Sequence, residues 1–412
     1  MVNVHEGNKH QMKSIELFAG AGGLALGTAD AGFRHKTVIE WDSNSCATLR
    51  RNKANGLDHV KDWDIAECDV RDCDFNPYRG EVDFVCGGPP CQPFSLGGKH
   101  RGREDHRNLF PEAIRVVREV RPKAFVFENV KGLLRKQFAN YFSYIIHHLR
   151  YPTAVPIGDE DWTHHLSRLE RLHTSGERVD LNYNVIYQLV NAVDYGVPQH
   201  RWRVFIVGVR SDLSAKFSFP RPTHEEDALL YDKWVTGEYW DRHRISKKNR
   251  PEMPKEARRR IDRLETLFPP AMLKPWQTVR DATSDLPDPE VGRSSSEISN
   301  HYLNPGAKSY PGHTGSPFDE PAKALKAGDH GVPGGENMIR LEDGSVRYFS
   351  VRECARIQTF PDEWTFEGSW TESMRQLGNA VPVKLAEQIA RPLVQTIENS
   401  GNPTVEVGRR MK

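Results

Sequence analysis

The sequence predicts an α/β fold, a doubly wound and mostly parallel sheet with a second, smaller, loop-rich domain. Three observations carry this. Short apolar strands alternate with helix-like stretches through the first half of the 412 residues, the pattern of a parallel sheet covered on both faces. SIELFAGAGGLALG joins a strand, a glycine-rich turn and a helix start. After Arg210 the texture changes to proline, glycine, tryptophan and charge with few clean strands.

Strands are expected at 14–18, 37–41, 82–86, 124–127, 184–189 and 203–209, with helices at 24–31 and 44–52. A further helix at 108–120 places Leu109, Ile114, Val117 and Val120 near one face. The polar, histidine-rich stretch 151–180 reads as an inserted helix or loop, with His164 and His165 on its surface. Helical periodicity returns at 351–358 and 383–397. The expected plan is a tail at 1–13, a large α/β domain at 14–210, a variable domain at 211–345, a segment at 346–398 returning to the first domain, and a tail at 399–412.

Composition narrows the function. At 37% hydrophobic, 9% aromatic and 27% charged residues, the chain reads as an ordinary globular protein. No run approaches the roughly 20 apolar residues of a membrane span, and the polar start MVNVHEGNKHQMK lacks the apolar centre of a signal peptide. The six cysteines form no CxxC pair and have no histidine at zinc-finger spacing, so free thiols in a reducing, cytoplasmic compartment are expected, with no metal. A net charge of +1 neither suggests nor excludes nucleic acid. The stretch 242–263, however, holds ten basic residues, Arg258 and Arg259 among them, against three acidic ones. It is either a solvated helix face or a phosphate-contacting patch.

In the glycine turn, Gly20, Gly22 and Gly23 let a ligand approach the backbone, and the helix that follows offers free N–H groups. Glu40 comes twenty residues after Gly20, at the end of the next strand, where an acid accepts hydrogen bonds from a ribose. Trp41 beside it is placed to stack on an adenine, and Asp69 to accept from an adenine amino group or to cap a turn. The spacing does not meet G-x-G-x-x-G, which disfavours a dinucleotide. A nucleoside ligand without a pyrophosphate remains, S-adenosylmethionine being the obvious candidate beside nucleotides in general.

Cys91, in VDFVCGGPPCQPFS, lies beyond the carboxyl end of its strand, where open α/β sheets bind ligands. A buried structural cysteine is the commoner role, but a Pro-Gly turn with Gln92 and Ser95 beside it is not apolar core. AFVFENV ends in Glu128 and Asn129, which a parallel sheet brings to the same edge. In QHRWRVFIVGV, Gln199, Arg201 and Arg203 alternate and so share a face, where two arginines can lower a thiol pKa and hold an anion.

These residues resemble the DNA (cytosine-5) methyltransferases, in order along nearly the whole chain. FAGAGG resembles the cofactor loop, GGPPCQPFS the nucleophile loop, FENV the acid motif and QHRWR the Gln-x-Arg-x-Arg motif. RECARIQTFP resembles a structural helix motif, and RQLGNAVPV the motif completing the cofactor pocket. The resemblance implies the Rossmann-like fold of S-adenosylmethionine-dependent methyltransferases and transfer of a methyl group to cytosine C5 in double-stranded DNA. It makes Cys91 the nucleophile on C6, Glu128 the acid at N3, and Arg201 the residue that holds O2 and orients Glu128. Phe18, Glu40, Trp41, Asp69, Pro90 and Asn379 carry over as cofactor contacts. The loop bearing Gln92, Ser95, Lys99 and Arg101 closes over DNA, with Arg203, Arg258 and Arg259 as further contacts.

The stretch 211–345 then corresponds to the target-recognition domain. There the family's Thr-Leu or Thr-Ile pair is met by Ala324-Leu325, a departure from the pattern. A monomer is expected, with a cognate restriction endonuclease as its genetic partner. The alternatives are a tRNA cytosine-5 methyltransferase, a catalytically dead DNA-binding homologue and a nicotinamide oxidoreductase. The first is disfavoured by CQPFS, which lacks that branch's threonine two residues after the cysteine, and by the length of the variable region. The second conflicts with intact Cys91, Glu128 and Arg201. The third leaves PPCQ and QHRWR unexplained.

Overall fold

The computed structural model describes residues 11–90, 108–177, 179–266, 273–291, 298–311, 313–327, 337–341 and 343–400. Its centre is a seven-stranded sheet built from β1 (Lys13–Leu17), β2 (Arg34–Glu40), β3 (Asp64–Glu67), β4 (Phe84–Gly87), β5 (Ala124–Val130), β6 (Tyr183–Asn191) and β7 (Trp202–Arg210). Their order is β3-β2-β1-β4-β5-β7-β6. Only β7 runs against its neighbours, pairing antiparallel with both β5 and β6. The six expected strands are present, and β3 is the addition. It is four residues long with Asp64 and Glu67 at its ends, too short and too charged to show an apolar run.

The strand order reverses between β1 and β4, which pair in parallel with Leu17 opposite Gly87. The segments leaving these two strands therefore start side by side at the carboxyl edge, where open sheets of this kind form a crevice. One face of the sheet is covered by α3 (Phe110–Val120) and α4 (Ala139–Arg150), whose apolar stripes close a core with Ile15, Phe125 and Phe127. The other face carries α1 (Gly23–Ala31) and the C-terminal helix Val383–Ser400, which meet Phe84, Val126 and Val207. A third core joins α1 and α2 (Ser43–Ala54) to Val279, Leu325 and Ile339 and to the helices Val351–Ile357 and Trp370–Asn379. The stretch after Arg210 is thus bound into the molecule and not appended to it.

The histidine-rich insertion contains α5 (Trp162–Ser175), started by Asp161, whose carboxylate accepts from the Thr163 and His164 N–H groups. His164 is exposed as expected, but His165 is fully buried. It lies on the stripe that faces α4, with Nδ1 3.0 Å from the Tyr144 hydroxyl and Nε2 2.6 Å from the Ala154 carbonyl.

The basic run also differs from its simplest reading, because several of its charges are paired within the fold. Arg242 binds Asp232 at 2.5 Å and Asp281 at 3.2 Å, and Arg250 binds Asp241. Arg260 binds Glu226 at 2.6 Å and also Asp227. Arg258 and Arg259 stand exposed on the helix Lys255–Thr266.

Beneath the glycine turn, Glu16 is buried and accepts from the Cys86 thiol at 3.2 Å. Burial pushes its carboxyl up to about 8 from 4.5. Folding therefore takes up a proton at Glu16 in that window, and the stability it brings declines as pH rises, by up to about 1.4 kcal/mol per pH unit. Neighbouring His35 is pushed down by burial to about 4, so its opposite contribution is complete once pH passes 6.5. The melting temperature is expected to fall between pH 6.5 and 8, and Glu16→Gln to flatten that fall. Thermal unfolding of both proteins across this range is the check, and an equal slope in the variant would contradict it.

Candidate active site at the carboxyl edge of the sheet

Glu128 and Arg203 come together because β5 and β7 are antiparallel neighbours, with Glu128 two residues from the point where Val130 faces Arg203. Arg203 Nε lies 2.6 Å from Glu128 Oε1, with side-chain exposures of 14% and 10%. Burial raises the Glu128 pKa, while Arg203 and, less strongly, Arg201 draw it down. The acid thus retains its proton to higher pH than an exposed glutamate, yet its charged form already has a partner.

The segment after β4 is fastened to this acid. A Cβ on Gly88 would sit 3.2 Å from Glu128 Oε2, so this loop passes against the carboxylate. Asn129 Nδ2 donates to the Pro89 carbonyl at 2.9 Å, and Leu109 N donates to the Pro90 carbonyl at 3.0 Å. Pro90 and Leu109, which flank the stretch 91–107, are therefore joined close to Glu128. Cys91 and the DNA-loop residues Gln92, Ser95, Lys99 and Arg101 lie outside the described residues, with Cys91 directly following half-buried Pro90.

Arg201 is placed differently from the sequence expectation. Its side chain is fully buried and acts on Glu128 through charge alone, its hydrogen bonds going elsewhere. Nη1 donates to the Leu325 carbonyl at 2.9 Å, and Nη2 donates to the Gly378 and Ala380 carbonyls at 2.6 and 2.9 Å. It is Arg203 that pairs with and hydrogen-bonds Glu128, whereas the sequence expectation assigns the orienting role to Arg201 and places Arg203 among the DNA contacts. Alternation put both arginines on one face, and it could not say which would reach across to β5.

Gln199 extends the cluster, accepting from Leu325 N at 2.9 Å and donating to Gln358 Oε1 at 3.0 Å. Gln358 in turn donates to the Leu377 and Ala380 carbonyls. The sequence expectations include neither this role of Gln199 nor the contacts of Asn129, Gly88 and Gln358. A buried glutamine facing backbone groups leaves no periodic signature.

On the cofactor side, Phe18, Gly20 and Gly22 have φ of 56°, 54° and 87°, a left-handed run that folds the turn back over β1. At Phe18 this is a conformation a bulky residue rarely adopts. A side chain added at Gly20 would meet nothing within 4 Å, so the turn is open there. Gly22 and Gly23 serve packing. A Cβ on Gly22 would press on Leu49 and Trp364, and one on Gly23 would collide with the Val381 carbonyl.

Glu40 binds the turn directly. Its Oε2 accepts from Gly20 N at 2.7 Å, and its Oε1 accepts from Trp41 N and Asp42 N at 2.9 and 2.8 Å. Burial raises its pKa against these three bonds. Trp41 is 69% exposed at the rim, a free aromatic face. Asp69 caps the turn Val70–Asp72 through Arg71 N and pairs with the Arg71 side chain, the capping alternative. Asn379 is exposed at the end of the helix Trp370–Asn379, next to the carbonyls that Arg201 holds.

The fold is that of a Rossmann-like methyltransferase. Solved structures agree on the fold. A DNA modification methyltransferase encoded within an E. coli prophage superposes with a TM-score of 0.57 at 21% identity, over 94% of this chain and 99% of the other. DNMT2 of Spodoptera frugiperda gives 0.54 at 15% identity, over 93% and 99%.

The family model for C-5 cytosine-specific DNA methylase matches residues 12–151 and 177–395, and the chain belongs to that family. The Type II methyltransferase M.Eco47II of Escherichia coli is 33% identical over 387 residues, 93% of this chain and 79% of that protein. The Type II methyltransferase M.NgoMIV of Neisseria gonorrhoeae is 31% identical over 393 residues, 94% and 99% respectively. The protein is a DNA cytosine-5 methyltransferase. Residues 152–176, which carry α5, fall between the two matched stretches.

Proposed function

We propose that the chain methylates C5 of a flipped-out cytosine within a specific sequence of duplex DNA, through a covalent Cys91–C6 adduct, with S-adenosylmethionine as methyl donor. The observation that carries this reading is the buried Glu128–Arg203 pair at the fastened root of the Cys91 loop.

The residues at the crevice fit the donor. Around Gly20 the backbone is open, exposed Trp41 offers a face for an adenine, and Glu40 keeps lone pairs for a ribose beside its three backbone bonds. Phe18, Asp69, Pro90 and Asn379 complete the candidate pocket. When bound, S-adenosylmethionine supplies an electrophilic methyl group at the edge where β1 and β4 diverge.

C5 of cytosine is a poor nucleophile, and the residues present address that. The Cys91 thiolate adds to C6, and the displaced electron pair accumulates at C5 and toward N3. Protonated Glu128 donates to N3 and draws that charge away, while Arg203 receives the carboxylate left behind. C5 then takes the methyl group. A base, water included, removes the C5 proton; that electron pair forms C5=C6 and expels Cys91 as thiolate, while N3 returns its proton to the Glu128 carboxylate and the aromatic ring is restored. Both carbons are enclosed in the stack of a duplex, so the base must leave it.

The 14–210 region acts in this reading as the catalytic and cofactor-binding domain, 211–345 reads the target, and 346–398 closes the cofactor pocket. Gln92, Ser95, Lys99 and Arg101 contact DNA from the loop, and Arg258 and Arg259 contact phosphates. The reading includes a monomeric cytoplasmic enzyme that protects DNA beside a cognate endonuclease; the Type II methyltransferase names of the relatives support its restriction–modification setting. Among the described residues, no helix is long and apolar enough to cross a membrane.

The test is incubation with methyl-labelled S-adenosylmethionine and mixed-sequence duplex DNA, mapping of modified cytosines, and trapping with DNA containing 5-fluorocytosine. Label at C5 within one recurring sequence and a denaturant-stable protein–DNA adduct are expected. Label confined to RNA, or turnover without an adduct, would contradict the reading.

A further inference from the structure

One stretch of the catalytic edge is used by neither the reaction nor the packing. Val130, the last residue of β5, is 37% exposed, and Trp202, the first of β7, is 43% exposed. They stand next to Glu128 and Arg203, so this exposed apolar surface begins where the acid pair ends. Lys131 lies over the Trp202 ring, 4.9 Å from its centroid. Arg135 and Lys136 follow on the short turns Lys131–Leu134 and Lys136–Phe138, and all three cations are exposed.

The charge here is unbalanced. From 130 to 158 the sequence contains no aspartate or glutamate. Among the described residues Lys131, Arg135 and Lys136 have no carboxylate partner, unlike Arg242, Arg250 and Arg260 of the longer basic run. A solvated surface usually intersperses both signs. Three unneutralised cations beside an exposed indole match a partner with regularly spaced negative charge and apolar sugar or base faces.

We propose that Val130, Lys131, Arg135, Lys136 and Trp202 form a contact surface for the sugar–phosphate backbone of duplex DNA beside the flipped base. The proposal rests on the reading of the chain as a methyltransferase acting on duplex DNA and adds a surface to it. Lys131 and the two cations after it take phosphates, while Trp202 holds Lys131 in place and packs on a sugar. Contacts of this kind set register on the duplex and carry little sequence information.

The experiment measures binding of a DNA duplex of mapped target sequence across a salt series, for wild type and for the variant Lys131→Gln/Arg135→Gln/Lys136→Gln. Each lost phosphate contact lowers the slope of log affinity against log salt by about 0.9. A slope smaller by about 2 to 3, with binding weakened at least tenfold near 0.1 M salt, is expected from three such contacts. S-adenosylmethionine binding, measured by calorimetry, is expected to match wild type, which excludes loss of the fold. Trp202→Ala is expected to weaken DNA binding several-fold with a smaller change in slope. Arg34→Gln/Lys36→Gln, at the opposite edge of the sheet, serves as the charge control and is expected to keep the wild-type slope.

An unchanged slope in the triple variant, or an equal change in the control, would overturn the proposal. So would a loss seen with a structured RNA and not with DNA. If wild type itself neither bound nor methylated DNA, the enzyme reading would fail. A wild type active on DNA beside an unaffected triple variant would sink the surface alone.

Discussion

Glu128→Gln is expected to lower kcat by about 10²–10⁴-fold, the usual worth of a positioned proton donor. Glutamine keeps the shape and a carbonyl for Arg203, so it isolates the proton. The carboxyl is raised by burial and lowered by Arg203 and Arg201, and it donates only while protonated. In wild type, kcat is therefore expected to decline as pH rises through the Glu128 pKa, and in the variant this limb should vanish. Single-turnover rates across pH, with S-adenosylmethionine binding as the folding control, are the measurement. A variant with near-wild-type rates, or one that kept the same pH limb, would remove Glu128 from the chemistry. Arg203→Lys should be milder, because an ammonium retains the charge without the planar fork.

Arg201→Met is expected to act on stability first. Methionine fills much of the same volume but leaves the carbonyls of Leu325 and Gly378 without their donor and Ala380 with Gln358 alone, all within a buried cluster. A buried polar group left unpaired costs about 1–3 kcal/mol. Two together, about 2–6 kcal/mol, are a large share of the 5–15 kcal/mol that holds a typical domain folded. The expected result is a large drop in the urea midpoint, with much of the protein insoluble, and partial recovery in Arg201→Lys. An unchanged midpoint in Arg201→Met would show that these bonds contribute little. The contrast between neighbouring arginines is sharp: loss of Arg203 should show in turnover, loss of Arg201 in folding.

Much of this site was legible in the sequence. The glycine turn, Glu40 and Glu128 announce themselves because each sits at the end of a strand that alternation or an apolar run makes visible, and parallel strands gather such ends at one edge. The strand order and the reversal of β7 were not legible, because they depend on which strands pair. That same pairing decides that Arg203 and not Arg201 meets Glu128. The long basic run stays open between its two readings in the sequence, since its partners Asp232, Asp281, Glu226 and Asp227 lie in other segments that only folding brings near. His165 misled for the same reason, its burial coming from α4.

The bonds from Gln199 and Arg201 to Leu325 use only that residue's backbone N–H and carbonyl. Asn337 likewise grips Lys326 through backbone alone, accepting from its N–H at 3.0 Å and donating to its carbonyl at 2.9 Å. A joint that recognises main chain is indifferent to most of the side chains passing through it. It tolerates Ala324 where the family pattern has threonine, and it leaves the rest of the variable region open to rewriting. In the proposed reading, new target preferences can then arise by mutation or by grafting without re-engineering the seam, provided the graft keeps the chain path at 322–327 against Gly378, where any side chain would strike Ala327. If 211–345 reads the target as proposed, the socket that makes Arg201 so costly to lose also lets that region change separately from the chemistry.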